Sequence, residues 1–146
     1  MSVFTDEEID YLRQQTLGRV CTVGRDGHPH ATPVTFSFNA DQDAIDVGGV
    51  FFGGTKKWRD AQRNPKVTIL VDDVIADPRQ ARAIEVRGTA ELHETGGSGI
   101  NPRFPNFDEH FFRIRPARIV SWGLKASAAD EGFRMNSRSV GGEGGS

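Results

Sequence analysis

Lys56 and Lys57 follow Gly53, Gly54 and Thr55 in the run GGTKKWRDAQRN, which reads as a glycine loop opening a short helix. Thr55 can cap the first turn through its hydroxyl, and Pro65 stands just past the last residue able to remain helical. Two cations in a first turn oppose the helix dipole, at a cost of a few tenths to ~1 kcal/mol each, so an anion is expected to offset them. Free N–H groups at a helix start, a glycine pair permitting close approach, a hydroxyl and two ammonium groups together make a phosphate cradle. A solvated surface helix fits the same residues, and the run alone does not choose between the two.

The other reactive residue types offer less. His28, His30, His93 and His110 match no metal-site spacing, and His28-Pro29-His30 reads as exposed histidines beside a turn. Ser121 lacks a G-x-S-x-G context, and Asp72-Asp73 reads as the polar end of a strand rather than an acid/base pair. Cys21 is the only cysteine, so there is no disulfide framework and no thiolate metal site; in its apolar run it reads as a small buried hydrophobe. There is neither a G-x-G-x-x-G nor a G-x-x-x-x-G-K-[ST] motif. Chemistry would therefore come from a bound cofactor, and the lysine run is where one could attach.

Composition narrows the classes of partner. A formal net charge of -2 argues against nucleic acid. The acidic N-terminus, MSVFTDEEID, has no apolar core of a signal peptide, and no stretch approaches the ~20 apolar residues of a membrane span. A cytoplasmic protein with no membrane partner is the expectation, and 146 residues fit one domain.

The elements that must position the lysine run can be read in order. Thr5 and Glu8 form a capping box for a short amphipathic helix to about Gln15, with Ile9 and Leu12 on its apolar stripe. RVCTV and HPHATPVTFSF are two strands joined at Asp26-Gly27. In the second, Thr32, Val34, Phe36 and Phe38 share a core face, whereas Ala31, Pro33, Thr35 and Ser37 form a small, polar face able to lie against a flat ligand. Pro33 cannot donate to a ladder, which places it at an edge or bulge. AIDV, KVTILVDD and ARAIEVRGTAEL are further strands, and ARIVSWGL is the sixth. Residues His93 to Phe107 read as a long loop, and Asp108 as the cap of a short helix through Phe112. Mainly β, a barrel or sandwich over residues 1–124, with a polar tail over 125–146 whose GGEGGS end is disordered, is the expected architecture.

The runs LGRVCTVGRDGHPHATPVTF, GGTKKWRDAQRNPKVTILVDD, IEVRGTAEL and RIRPARIVSWGL, spanning residues 3 to 124, resemble the split-barrel flavin/deazaflavin family that includes pyridoxamine 5′-phosphate oxidase. Within it they are more similar to the reductases that depend on coenzyme F420. One subgroup with the same RIVSWGL ending and VDD strand end acts in tetracycline-type antibiotic assembly. The resemblance implies a six-stranded split β-barrel of the FMN-binding type with a few short helices, working as a homodimer whose cofactor lies between subunits.

It also implies residue roles. Thr55, Lys56 and Lys57 would hold the cofactor phosphate; Thr32, Pro33, Val34 and Thr35 would run along the ring system; Val50 and Phe51 would belong to the strand leading into the phosphate loop. Trp122 and the tail around Arg134, Asn136 and Arg138 are weaker candidates for contacts. The tail FRMNSRSV lacks the C-terminal tryptophan and arginine pattern of the vitamin oxidases, which favours the deazaflavin branch. The implied activity is hydride transfer from reduced F420 to an activated C=C of a small organic substrate. An FMN-dependent oxidase or reductase, and a non-catalytic flavin-binding dimer, are the alternatives on the same fold.

Overall fold

The computed structural model describes residues 1–125 and 135–141. Helix α1 (Asp6–Gln14) precedes strands β1 (Leu17–Val23), β2 (Pro29–Asn39) and β3 (Ala44–Gly48); helix α2 (Lys56–Arg63) follows, then β4 (Lys66–Ile75), β5 (Gln80–His93), β6 (Phe111–Trp122) and β7 (Met135–Ser139). All neighbours are antiparallel in the order β3-β2-β1-β4-β5-β6-β7, and β3 also pairs with β6. That last pairing closes the six expected strands into a barrel. The seventh lies in the tail, whose polar sequence carried no strand signal. The expected disorder of residues 142–146 concerns residues outside those described.

Alternation builds the core. Val20, Ile69, Val86 and Ile119 stand opposite one another across β1, β4, β5 and β6, and none is more than 1% exposed. Burial of each such side chain is worth ~1.5–3 kcal/mol, so this row alone strongly favours the observed register.

Strand β6 serves three neighbours. Phe112 and Ile114 face Val47 and Ile45 of β3, whereas residues Arg118 to Trp122 pair with β7, and β5 runs alongside throughout. The changeover is marked by a register shift in β5 between Arg87 and Gly88. A Cβ at Gly88 would sit 2.1 Å from the carbonyl oxygen of Arg115, so the close approach of β5 and β6 at the bulge requires glycine. The helix expected from Asp108 through Phe112 is not formed: Phe111 and Phe112 begin β6, because burial of both rings in strand form outweighs a local capping signal.

Helix α1 has the expected capping box, with the Thr5 N–H donating to Glu8 Oε1 at 2.9 Å and the Glu8 N–H to Thr5 Oγ1 at 3.2 Å. Glu8 does more than cap. Its carboxylate is wholly buried, accepts from Ser121 Oγ at 2.6 Å and from Arg138 Nη1 at 3.0 Å, and is also held by Arg138 Nη2, which donates to the Val3 carbonyl at 2.7 Å. One carboxylate thus ties α1, the end of β6 and β7 together. Burial pushes its pKa up, but the hydrogen bonds from Arg138, Ser121 and Thr5 outweigh this and hold it below the ordinary value of 4.5.

Two outcomes follow. Arg138→Gln leaves a buried carboxylate without its cation and is expected to lower unfolding free energy by about 3 kcal/mol at neutral pH, read by urea denaturation. The wild-type stability from Glu8 is complete above pH 4.5 and lost as pH falls through its lower folded pKa, whereas the variant's carboxyl protonates earlier; the gap therefore narrows in acid. Gly88→Ala is expected to cost about 2–3 kcal/mol through the clash with Arg115, read in the same assay.

Candidate cofactor-binding site

The lysine run forms α2 as expected, with Thr55 Oγ1 accepting from the Trp58 N–H at 3.4 Å and donating to the Phe52 carbonyl at 2.7 Å. Trp58 anchors the helix to the barrel: its ring stacks on Phe112 at an interplanar angle of 8° and meets the edges of Phe52 and His110. On the neighbouring position Asp60 is buried to 0% exposure. Thr22 Oγ1 of β1 donates to it at 3.0 Å, Lys56 Nζ donates to both its oxygens at 2.9 and 3.0 Å, and Arg63 Nη2 donates at 3.2 Å. Burial opposes the charge, but the bonds from Lys56 and Thr22 and the nearby cations hold the pKa below the usual carboxylate value. The anion expected to offset the first-turn cations is thus partly internal. Asp60 was missed in the sequence, where its only signal is the four-residue spacing from Lys56.

Lys57 stands differently. It is half-buried, its Nζ lies over the Phe52 ring at 5.3 Å, and no carboxylate among the described residues pairs with it. Burial pulls its pKa below the ordinary lysine value. The amides of Lys56 and Lys57 have no partner within the helix, and none is found for them among the described residues. A desolvated ammonium beside two unspent N–H groups is an arrangement that an anion completes.

The glycine pair has a role inside the chain itself. A Cβ at Gly53 would lie 2.7 Å from the His110 ring and one at Gly54 2.1 Å from the Phe51 ring, so both positions are small to admit the chain's own side chains. The Gly53 N–H is spent on Asp108 Oδ2 at 2.8 Å, and Asp108 in turn donates its N–H to the Gly49 carbonyl at 2.9 Å. The bond from Gly53 is the main cause of a lowered Asp108 pKa. Asp108, read in the sequence as a helix cap, instead bolts the loop before β6 to the loop before α2.

The remaining candidates fall in several places. Strand β2 pairs with β1 from Pro29 to Thr35, but with β3 only from Thr35 onward, so Pro33 sits on an open edge as its missing donor requires. Val34 is buried and Thr32 Oγ1 is buried without a hydrogen-bond partner among the described residues, while Ala31 and Pro33 are exposed and Thr35 is half-buried, which matches the expected two faces. Val50 and Phe51 lie past the end of β3, in a turn rather than a strand, 67% and 73% exposed, with Phe51 in the left-handed region at φ 60. Trp122 ends β6 opposite Ala83 and Met135, half-buried. Arg138 is engaged with Glu8 and also donates to Asn136 Oδ1 at 2.9 Å. Arg134 lies outside the described residues.

Around the site, Arg25, Asp26, His28, His30, Lys56 and Arg63 help to line a cleft of about 470 Å³. The two turn histidines therefore face α2. Asp73 accepts from Tyr11 and from Arg82, and Asp72 pairs with Arg19, so the paired acids are a polar strand end held in ion pairs. Cys21 is half-buried rather than the fully buried hydrophobe expected, and burial followed by the Glu85 charge pushes its thiol pKa up. Among the described residues no cluster could hold a metal ion, and no helix is long and apolar enough to cross a membrane.

Comparison with known proteins agrees with this architecture. The family model described as Pyridoxamine 5'-phosphate oxidase matches residues 4–123. The 5a,11a-dehydrotetracycline/5a,11a-dehydrooxytetracycline reductase of Streptomyces rimosus is 41% identical over 123 residues, covering 84% of each chain. Among solved structures, the FAD binding protein from Mycobacterium smegmatis aligns with TM-score 0.60 and 23% identity over 83% of this chain and 96% of that one. An F420 Reductase aligns with TM-score 0.56 and 19% identity over 75% and 93%. At those identities the two structures speak for the fold. With a family model covering nearly the whole barrel and a reductase sharing two residues in five, the chain belongs to the pyridoxamine 5′-phosphate oxidase family of split barrels.

Proposed function

We propose that this protein is a reductase that takes reduced coenzyme F420 as hydride donor and reduces an activated C=C of a small, flat, enone-bearing substrate of the dehydrotetracycline type. The observation that carries the reading is Lys57, a half-buried cation with no carboxylate partner among the described residues, next to two unspent helix amides. The identity with a reductase of dehydrotetracyclines supports the substrate class.

Bound at this site, the deazaflavin supplies the hydride. The chain supplies position. Lys57 and the amides of Lys56 and Lys57 hold the phosphate, and α2 is kept from shifting by the Thr22–Asp60 bond and the Trp58 stack. The open edge of β2, with Ala31 and Pro33 exposed, offers a smooth surface for a ring system. Of the three buried carboxylates among the described residues, Glu8 and Asp60 have partners that favour the ionised form and Asp46 is bound by Asn39 and Arg113, so the proton that completes the reduction is assigned to none of them. The chain acts as a homodimer, a reading supported by the exposed apolar turn of Val50 and Phe51.

Lys57→Ala is expected to weaken F420 binding about 10- to 100-fold at physiological salt, the weight of one charge-assisted hydrogen bond, with the thermal unfolding temperature little changed. Fluorescence titration with F420 and with FMN reads this directly. Unchanged affinity would remove the lysine from the site, and tight FMN binding with none for F420 would shift the protein to the flavin branch. Reduction of a dehydrotetracycline-type enone by reduced F420 then separates an enzyme from a flavin-binding dimer that does no chemistry.

A further inference from the structure

Asp60 is a buried carboxylate to which the proposed reduction gives no role, and it lies one turn along α2 from Lys56. Its two oxygens take two of the three N–H donors of Lys56, at 2.9 and 3.0 Å, and one of them also takes Arg63 at 3.2 Å. Thr22 of β1 fixes the carboxylate from the other side, at 3.0 Å. A Cβ at Gly24 would lie 3.1 Å from Lys56 Nζ, which places that ammonium against the β1–β2 turn rather than over Phe52, where Lys57 lies. The two adjacent lysines are therefore unequal: Lys56 is held by a buried counter-ion, while Lys57 keeps all three donors.

We infer that Asp60 is a positioning and specificity-determining residue that lowers the effective positive charge of the cradle, so that the site selects a singly charged phosphodiester over a phosphomonoester. The inference rests on the cofactor reading above and goes beyond it by stating which phosphate chemistry the protein accepts. A phosphomonoester carries about −1.5 to −2 charges at neutral pH and three acceptor oxygens, whereas a diester carries one charge and two unesterified oxygens. A dianion needs two free cations to repay its desolvation; a monoanion is matched by Lys57 and the helix amides. Asp60 touches Lys56 and Arg63, so it acts through them rather than on the ligand.

The test holds the ring constant and varies only the phosphate. Riboflavin and 5-deazariboflavin, each as the 5′-phosphomonoester and as its methyl phosphodiester, are titrated by fluorescence against the wild-type protein and Asp60→Asn. The wild type is expected to bind the diester of whichever ring it accepts at least as tightly as the monoester. In Asp60→Asn the ratio is expected to move about tenfold toward the monoester, the effect of one partly screened unit charge at several ångströms. A purely structural role would weaken both esters together and leave the ratio where it was. A wild-type preference for the monoester overturns the inference without needing the variant, and so does an unchanged ratio in a folded Asp60→Asn. Failure to bind either ring in any form removes the cofactor reading itself, and the inference with it.

Discussion

The structure depends on β6 satisfying three neighbours within twelve residues. A sheet of six strands becomes a barrel only if its last strand reaches its first, and Phe112 and Ile114 meet that demand against β3. Beyond the bulge opposite Gly88 the same strand has turned away from β3, and its freed edge is taken by β7. Such a divided strand would otherwise leave an open ladder from Arg118 to Trp122, a template for unwanted pairing. The split in the barrel, the position of the tail and the location of the site loops all follow from that division.

Two buried carboxylates join the helices to the barrel alongside their apolar contacts. Glu8 unites α1 with β6 and β7, and Asp60 unites α2 with β1 and with the cations that surround it. Each carboxylate pays a desolvation cost and recovers it through several charge-assisted bonds, which is the condition under which a buried charge is tolerated. Exposed strand β7 illustrates the need: of its five residues only Arg138 is even half-buried, and its ladder with β6, the Arg138–Glu8 ion pair and hydrogen bonds from Arg118 to Ser137 and Ser139 hold it in place. Asp108 does the same for the loops, trading its local capping role for bonds to Gly53 and Gly49.

Several of the chain's reactive side chains are engaged within the fold itself. Partners hold the Glu8 and Asp60 carboxyls below the usual range, burial pushes the Cys21 thiol up, and among the described residues no histidine belongs to a metal set. What the scaffold offers instead is a rigid helix start, fixed by the Trp58 stack and Thr22, beside an open strand edge with small side chains. That arrangement sits within a barrel of the pyridoxamine 5′-phosphate oxidase family.

Much was legible without coordinates because it rests on neighbouring residues: the capping box at Thr5 and Glu8, the cap at Thr55, the Asp26-Gly27 turn, the two faces of β2 and the edge at Pro33 each require only short-range sterics and period. The six-strand count and the mainly β class followed from the same periodicities. Only the tertiary structure decided which distant groups the charges would meet. Nothing near Asp60 in the sequence announces Thr22, nothing near Glu8 announces Arg138, and the polar residues of β7 gain strand form solely from the edge β6 leaves uncovered. The difference between Lys56 and Lys57 belongs to the same class: identical side chains at adjacent positions are made unequal by a buried carboxylate that only the folded chain brings to one of them.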